Sequence, residues 1–364
     1  MKITDLRMET YRWPGSPMFV NGRFVFGSGG LDLIRIETNE GVTGVGLTWV
    51  QESSGVVVRA VTEHIKQQVM GRDPLDIERI WDEIWRLGSL GRRGIATQVL
   101  SAIDIALWDI KGKCADMPLY KLLGGYTDRI PAYVSLGFRG EDLNQVISSL
   151  EDGIAKGIRA IKMQVGNLTI AEDEERVKMA REVIGPDVKL MLDASTLYRH
   201  QEAIVFASKV EKHDIFWIEE PVAPDDIRGS QLVARSTTIP IATGEGEYTK
   251  YGFRDLIENR SASILQPDAL IMGGITEFMK VAAMAQANDF HISNHGPHHI
   301  HAHLLAAIPN ALIIEEYFTS ETQPIDGGIF LDQMPIVDGH IRPPDRPGLG
   351  LQLNEKAIAP YRTG

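Results

Sequence analysis

Apolar and polar positions divide the chain into two regimes. Residues 2–12 and 32–50 alternate with the period of two that marks strands. The second stretch holds two runs, LDLIRIET and GVTGVGLTWV, on either side of Asn39-Glu40-Gly41, a hairpin turn signal. Between the two stretches, WPGSPMFVNGRFVFGSGGL (13–31) is rich in Gly and Pro and predicts a mobile loop. Helical periodicity follows in VVVRAVTEHIKQQVM, in PLDIERIWDEIW and in TQVLSAIDIALWDIKGKCA. Strands followed by helices predict an α+β unit over residues 1–125.

Beyond it the pattern changes. Short apolar or β-branched runs alternate with helical stretches such as EDEERVKMAREVIG. The runs are AYVSLG (132–137), AIKMQV (160–165), VKLMLDA (188–194), IFWIEE (215–220), IPIATGE (239–245), SILQPD (263–268), FHISNH (290–295) and ALIIEE (311–316). Eight strands, each followed by a helix, predict a (β/α)8-type barrel over residues 126–320. The Pro- and Gly-rich segment 321–364 is expected to return to the first domain.

Barrel enzymes build their sites at the C-terminal ends of the strands, and here those ends carry chemistry. Lys162 and Gln164 lie on the second run. Asp193, Glu219-Glu220, Glu245, Asp268, His295 and Glu315-Glu316 end the later ones. Charged residues at the ends of apolar strands are costly unless paired or metal-bound. Asp193, Glu219 and Glu245 come from three consecutive strands, and their convergence would be repulsive. A hard divalent cation resolves this, and ligation by oxygen alone favours Mg²⁺ over zinc. Asp268 and His295 follow on the next two strands. An Asp beside a His fixes the imidazole tautomer and raises its basicity, which makes a general base.

Five of the ten histidines fall in SNHGPHHIHAH (293–303). His295 is expected at the strand end. Pro297 favours a helix start, so His298, His299, His301 and His303 are expected on its first turns as packed or surface residues. His299 and His303 have the i,i+4 spacing of zinc ligands, but nothing nearby completes a zinc set. His298 alone is left open as a residue lining the mouth.

Composition narrows the partners. The net charge of −12 without a basic cluster disfavours nucleic acid and anionic membranes. The lone Cys114 excludes an internal disulfide and is expected to be a small buried residue. No apolar run reaches the length of a membrane span or a signal peptide, so a cytoplasmic protein is expected.

With these residues in view, the chain resembles the enolase superfamily in its mandelate racemase-like subgroup. The resemblance rests on ALWDIKGKCADMPLYKLLGG, WIEEP (217–221), GE (244–245), QPD (266–268) and NH (294–295). It implies removal of the proton α to a carboxylate and stabilisation of the enediolate by Mg²⁺; that mechanism is known for the superfamily rather than read from this chain. It also implies that Asp193, Glu219 and Glu245 bind the metal, that Asp268 and His295 form the dyad, and that Lys162 contacts the substrate carboxylate. Glu316, with Glu315 as its rival, is the implied eighth-strand acid. A homo-oligomer is implied as well.

The departures refine the expectation. The subgroup often carries Lys-x-Lys on the second barrel strand; here it is Lys162-Met163-Gln164. Gln164 cannot take a proton, so a racemase's second base is missing unless Lys162 serves. His295 alone suffices for a dehydratase. The expected function is therefore dehydration of an acid sugar (aldonate or aldarate) to a 2-keto-3-deoxy acid, with racemisation or epimerisation of an α-hydroxy acid as the alternative. Lysines on both the second and sixth strands would mark a muconate-type lactonising enzyme, and the sixth here carries Asp268. Ser195 stands where relatives often have a larger polar residue. Asn21 and Arg23 in the 13–31 stretch, and Trp49, Gln51 and Glu52, are expected to shape specificity.

Overall fold

The computed structural model describes residues 1–21, 24–48, 55–88, 91–137, 141–316, 328–331 and 333–363, and for residues 14–21 and 24–29 the backbone alone. The first domain opens with an antiparallel sheet of β1 (Ile3–Asn21), β2 (Phe24–Thr38) and β3 (Thr43–Thr48). Where a loop is expected at 13–31, the described residues 13–21 and 24–31 are instead extended: β1 and β2 stay paired through Trp13↔Gly29 and Phe19↔Phe26, with an irregularity between Pro14 and Phe19. Aromatic and β-branched residues on either side of Asn21-Gly22, a hairpin-type dipeptide, favour this pairing despite the Gly and Pro content. Arg23, Trp49, Gln51 and Glu52 lie outside the described residues, as does the side chain of Asn21.

Helices α1 (Gly55–Val69), α2 (Ile77–Trp85) and α3 (Ile95–Cys114) cover this sheet, and a single turn, α4 (Leu119–Leu122), leads out. The α3 helix lies so close on β3 that a Cβ at Gly46 would stand 1.8 Å from the Ala102 carbonyl oxygen, and one at Gly44 2.1 Å from that of Ala106. Gly44 and Gly46 are thus a packing requirement. Cys114 ends α3 exposed, not buried as expected, because the buried face of the helix stops at Gly112.

Eight parallel strands close the barrel: β4 (Ile130–Ser135), β5 (Ala160–Gln164), β6 (Lys189–Asp193), β7 (Ile215–Glu219), β8 (Ile241–Thr243), β9 (Ile264–Leu265), β10 (His291–Ser293) and β11 (Ala311–Glu316), with β11 pairing back onto β4. The intervening helices are α5 (Leu143–Ala155), α6 (Ile170–Ile184), α7 (His200–Val210), α8 (Ile227–Ser236), α9 (Thr249–Glu258), α10 (Gly274–Gln286) and α11 (His298–Ala307). Asp142 and Thr169 start α5 and α6 with reciprocal capping boxes. Tyr133, Ala160, Met191, Trp217, Ala242, Ile264 and Ile313 fill the barrel interior. This layer fixes which residues of each strand point inward, and hence which later ones reach the mouth.

The first domain docks on the barrel through buried polar contacts. Asp104 of α3 accepts from the Thr276 amide (2.9 Å) and hydroxyl (2.5 Å), Ser101 Oγ accepts from Gly273 N (2.8 Å), and Trp81 Nε1 donates to the Gly273 carbonyl (2.8 Å). The tail adds β12 (His340–Ile341) antiparallel to β4 and returns to the first domain, where Leu349 N meets Asp109 and Thr363 N meets the Thr10 carbonyl. No helix among the described residues is long and apolar enough to cross a membrane. Overpacking predicts that Gly46→Ala lowers unfolding stability by at least about 1–3 kcal/mol in denaturant titration, whereas Gly41→Ala, with no atom within 4 Å of the added methyl, is governed by its turn backbone alone.

Candidate active site

Parallel pairing sets Gln164, Asp193 and Glu219 side by side, since Gln164 registers with Asp193 and Asp193 with Glu219. Glu245, Asp268 and His295 lie just beyond the short strands β8, β9 and β10, so the strand-end pattern in the sequence becomes one ring at the barrel mouth. Lys162, two residues before Gln164, points into the barrel as well. Its Nζ lies 2.5 Å from Glu219 Oε1 and 2.8 Å from Glu315 Oε1, and 5.5 Å from the Tyr133 ring centre.

Donors surround these carboxylates. Asp193 Oδ1 accepts from the Ser195 amide (2.7 Å) and hydroxyl (2.8 Å), with Ser195 itself in a left-handed conformation. Glu219 Oε2 accepts from Trp217 Nε1 (3.1 Å) and Gln266 Nε2 (2.8 Å). Both residues lie in the motifs WIEEP and QPD, but nothing in the linear sequence marks either as a donor to Glu219. Glu220 is buried beside this group, its Oε1 without a hydrogen-bond partner among the described residues.

Charge is the dominant feature. Burial, with Asp193, Glu245 and Glu315 adding to it against Lys162, pushes the Glu219 carboxyl up to about 8. Burial also raises Glu245 and Glu220, and the neighbouring carboxylates raise both further. Burial alone would pull Lys162 down, yet Glu219 and Glu315 hold it well above the ordinary ammonium range. Among the described residues, no three His, Cys, Asp or Glu side chains already close on one point as a metal site would. The Glu219 oxygens are turned to Lys162, Trp217 and Gln266.

His295 faces this ring. Its Nδ1 lies 3.1 Å from Asp268 Oδ2 and its Nε2 is 3.8 Å from Glu245 Oε1. Asp268 is fully buried, and its Oδ1 accepts from Leu270 N at 2.8 Å. Burial disfavours the imidazolium, but Glu245, Asp268 and Glu315 outweigh it and raise His295 well above its ordinary value. The other histidines of the run are packed. His303 accepts from Tyr120 N (3.2 Å) and bonds the Leu349 carbonyl (2.9 Å), and His299 stacks against His298 and Phe330. His298 is buried, its ring against His299.

On the eighth strand the structure corrects the preference for Glu316. Ile313 faces the barrel interior, so Glu315 does too. Glu315 bonds Lys162, Ser135 Oγ (3.2 Å) and the Gly296 amide (2.9 Å). Glu316 is turned out of this network; burial and then the Glu315 charge push its carboxyl up to about 7.

The comparisons agree with this architecture. Residues 16–124 match the mandelate racemase/muconate lactonizing enzyme N-terminal domain, and residues 145–357 match the enolase C-terminal domain-like family. A 3,6-anhydro-α-L-galactonate cycloisomerase from Streptomyces coelicolor is 36% identical over 91% of each chain. A solved racemase from the same species, with bound magnesium, superposes with a TM-score of 0.93 at 34% identity, over 99% of this chain and 100% of the other. The L-talarate/galactarate dehydratase of Salmonella typhimurium, liganded with Mg and L-lyxarohydroxamate, gives 0.93 at 31% identity, over 100% of this chain and 93% of that one.

Removing Lys162 would leave Glu219 and Glu315 without their shared cation. Lys162→Met is expected to destabilise the fold by about 3–5 kcal/mol near neutral pH. Glu219 is already raised in the fold, so its contribution is present at low pH and lost as pH rises through about 8. The melting-temperature deficit of the variant should therefore be larger at pH 8 than at pH 5.

Proposed function

The chain belongs to the mandelate racemase/muconate lactonizing enzyme family of the enolase superfamily, and from that premise we propose that it catalyses β-elimination on an acid sugar, with dehydration as the leading reaction. The observation that carries this reading is one His–Asp pair on one side of the mouth, a partly exposed His295 backed by a buried Asp268, with Gln164 where a second base would stand.

In this reading Asp193, Glu219 and Glu245 hold a Mg²⁺ ion. The donor set fits it: the ligands are oxygens, and burial with the neighbouring carboxylates raises the proton affinity of Glu219 and Glu245, which is the environment a hard cation relieves. When bound, the cation supplies positive charge for the negative charge that develops on the substrate carboxylate. Lys162 and Glu315, the latter in place of Glu316, contact that carboxylate, and Gln164 hydrogen-bonds a hydroxyl or carboxylate oxygen. His295, oriented by Asp268, takes the proton from C2, and the electrons of the C–H bond form the enediolate. The C3 hydroxyl then leaves with a proton from the His295 imidazolium as water. Tautomerisation of the enol gives a 2-keto-3-deoxy acid.

A second reading shares every step except the leaving group. The 36% identity to a 3,6-anhydro-sugar-acid cycloisomerase favours a ring ether oxygen as an alternative leaving group at C3. Elimination then opens the ring and loses no water.

The test is a panel of aldonic, aldaric and 3,6-anhydro aldonic acids with Mg²⁺ in D₂O. A keto acid 18 mass units lighter than the substrate (before deuterium uptake) supports dehydration. A keto acid of unchanged mass supports cycloisomerisation. Deuterium at C2 with inversion and no keto acid contradicts both and makes Lys162 the second base. His295→Asn is expected to lower kcat by about 10²–10⁴-fold while leaving the fold intact by circular dichroism. Mg²⁺ is expected to raise the melting temperature of the wild type, and Glu219→Gln or Asp193→Asn to abolish that rise.

A further inference from the structure

His301 lies on the first turns of α11 and is fully buried. It is closed off from solvent behind Asp268, and both ring nitrogens are engaged by backbone on opposite sides. Its Nε2 accepts from the Ala269 amide at 2.9 Å, and its Nδ1 bonds the Pro297 carbonyl at 2.8 Å. An amide can only donate and a carbonyl only accept, so the ring is the neutral tautomer protonated at Nδ1. Ala269 is the residue after Asp268, and Pro297 is two residues after His295. These are the loops that follow β9 and β10.

We propose that His301 is a positioning residue: a single neutral imidazole that staples the backbone beside Asp268 to the backbone beside His295, and so sets the separation of that pair.

Three further features of the structure support this. The turn after Asp268 satisfies its other amides internally, since Leu270 N bonds the carboxylate while Ile271 N and Met272 N bond the Asp268 carbonyl. The Ala269 amide is the one that reaches across, and it reaches His301. The two loops are also pressed together: a Cβ at Gly296 would lie 2.8 Å from Asp268 Oδ2. Finally, burial lowers the proton affinity of His301 and keeps Nε2 free to accept, although that atom lies 3.5 Å from Asp268 Oδ1. A charged ring would give up the Ala269 bond and compete with His295 for the carboxylate.

The inference rests on the reading of Asp268 and His295 as the reacting pair, so the experiment has one arm that does not need it. Backbone hydrogen exchange is measured over 266–272 and 294–298 in the wild type and in His301→Leu, His301→Gln and His301→Asn. The Gln amide can reproduce the Nε2 position and the Asn amide the Nδ1 position. His301→Leu should speed exchange about tenfold or more in both segments, with little change in α5 to α8. Gln should protect the first segment and Asn the second. In the kinetic arm, with the substrate that turns over at saturating Mg²⁺, kcat of His301→Leu should fall about tenfold to a hundredfold. KM should change less than about threefold, and Gln or Asn should recover part of the loss. If His301→Leu does not fold, the Gln and Asn variants carry both arms. Unchanged exchange in both segments, or an equal rise across the whole barrel, would overturn the staple. Activity retained in His295→Asn would overturn the reaction reading and leave the exchange result standing.

Discussion

The mouth of this barrel is governed by charge crowding. Asp193, Glu219, Glu220, Glu245 and Glu315 converge in a buried space in which Lys162 and His295 are the nearby cationic groups. Carboxylates brought this close out of water resist ionising together. The surrounding structure answers with donors aimed at specific oxygens: Trp217 and Gln266 on Glu219, Ser195 on Asp193, Gly296 on Glu315 and Leu270 on Asp268. Each donor fixes the direction of an oxygen as well as stabilising its charge. What they leave is a set of oriented carboxylates short of positive charge, which is the state a cation-dependent site requires before its ion arrives.

His295, the proposed base, sits at the edge of this crowd, its Nε2 3.8 Å from Glu245 Oε1. His295 is reached by Asp268 from behind, and Asp268 is sealed in the barrel wall by its own turn and by the loop of Gly296. The opposite wall carries Gln164, whose amide cannot take a proton near neutral pH. The asymmetry of the site therefore lies in the kind of nitrogen each wall bears: the imidazole of His295 on one, and on the other the ammonium of Lys162, bound to Glu219 and Glu315. The histidine run that follows His295 serves this arrangement structurally. His301 and His303 tie loops and tail together through backbone groups, and His299 packs against Phe330.

Much of this is legible in the sequence. Each barrel strand is a short apolar run ending in a polar residue, and parallel pairing turns the regular spacing of Asp193, Glu219 and Glu245 into neighbouring positions. Other features depend on information that a linear pattern lacks. Alternation shows that only one of Glu315 and Glu316 points inward, but the choice needs the interior packing of Ile313. The donors Trp217 and Gln266 look like ordinary strand residues until the register places them under Glu219. The Gly- and Pro-rich stretch 13–31 reads as a loop by composition, whereas pairing of residues 13–21 with 24–29 makes these described residues extended. Cys114 reads as buried because it continues an apolar helix, and only the end of the contact with β3 shows that it is exposed.

The most direct test of the central claim is crystallography with Mn²⁺ in place of Mg²⁺, reading the anomalous signal of the metal. The account predicts one strong peak at the barrel mouth, with carboxylate oxygens of Asp193, Glu219 and Glu245 about 2.0–2.3 Å away, and the Nε2 side of His295 facing the space beside it. A peak in the histidine run around His299 and His303 would contradict it, and so would a mouth that stays empty while Lys162 remains bound to Glu219.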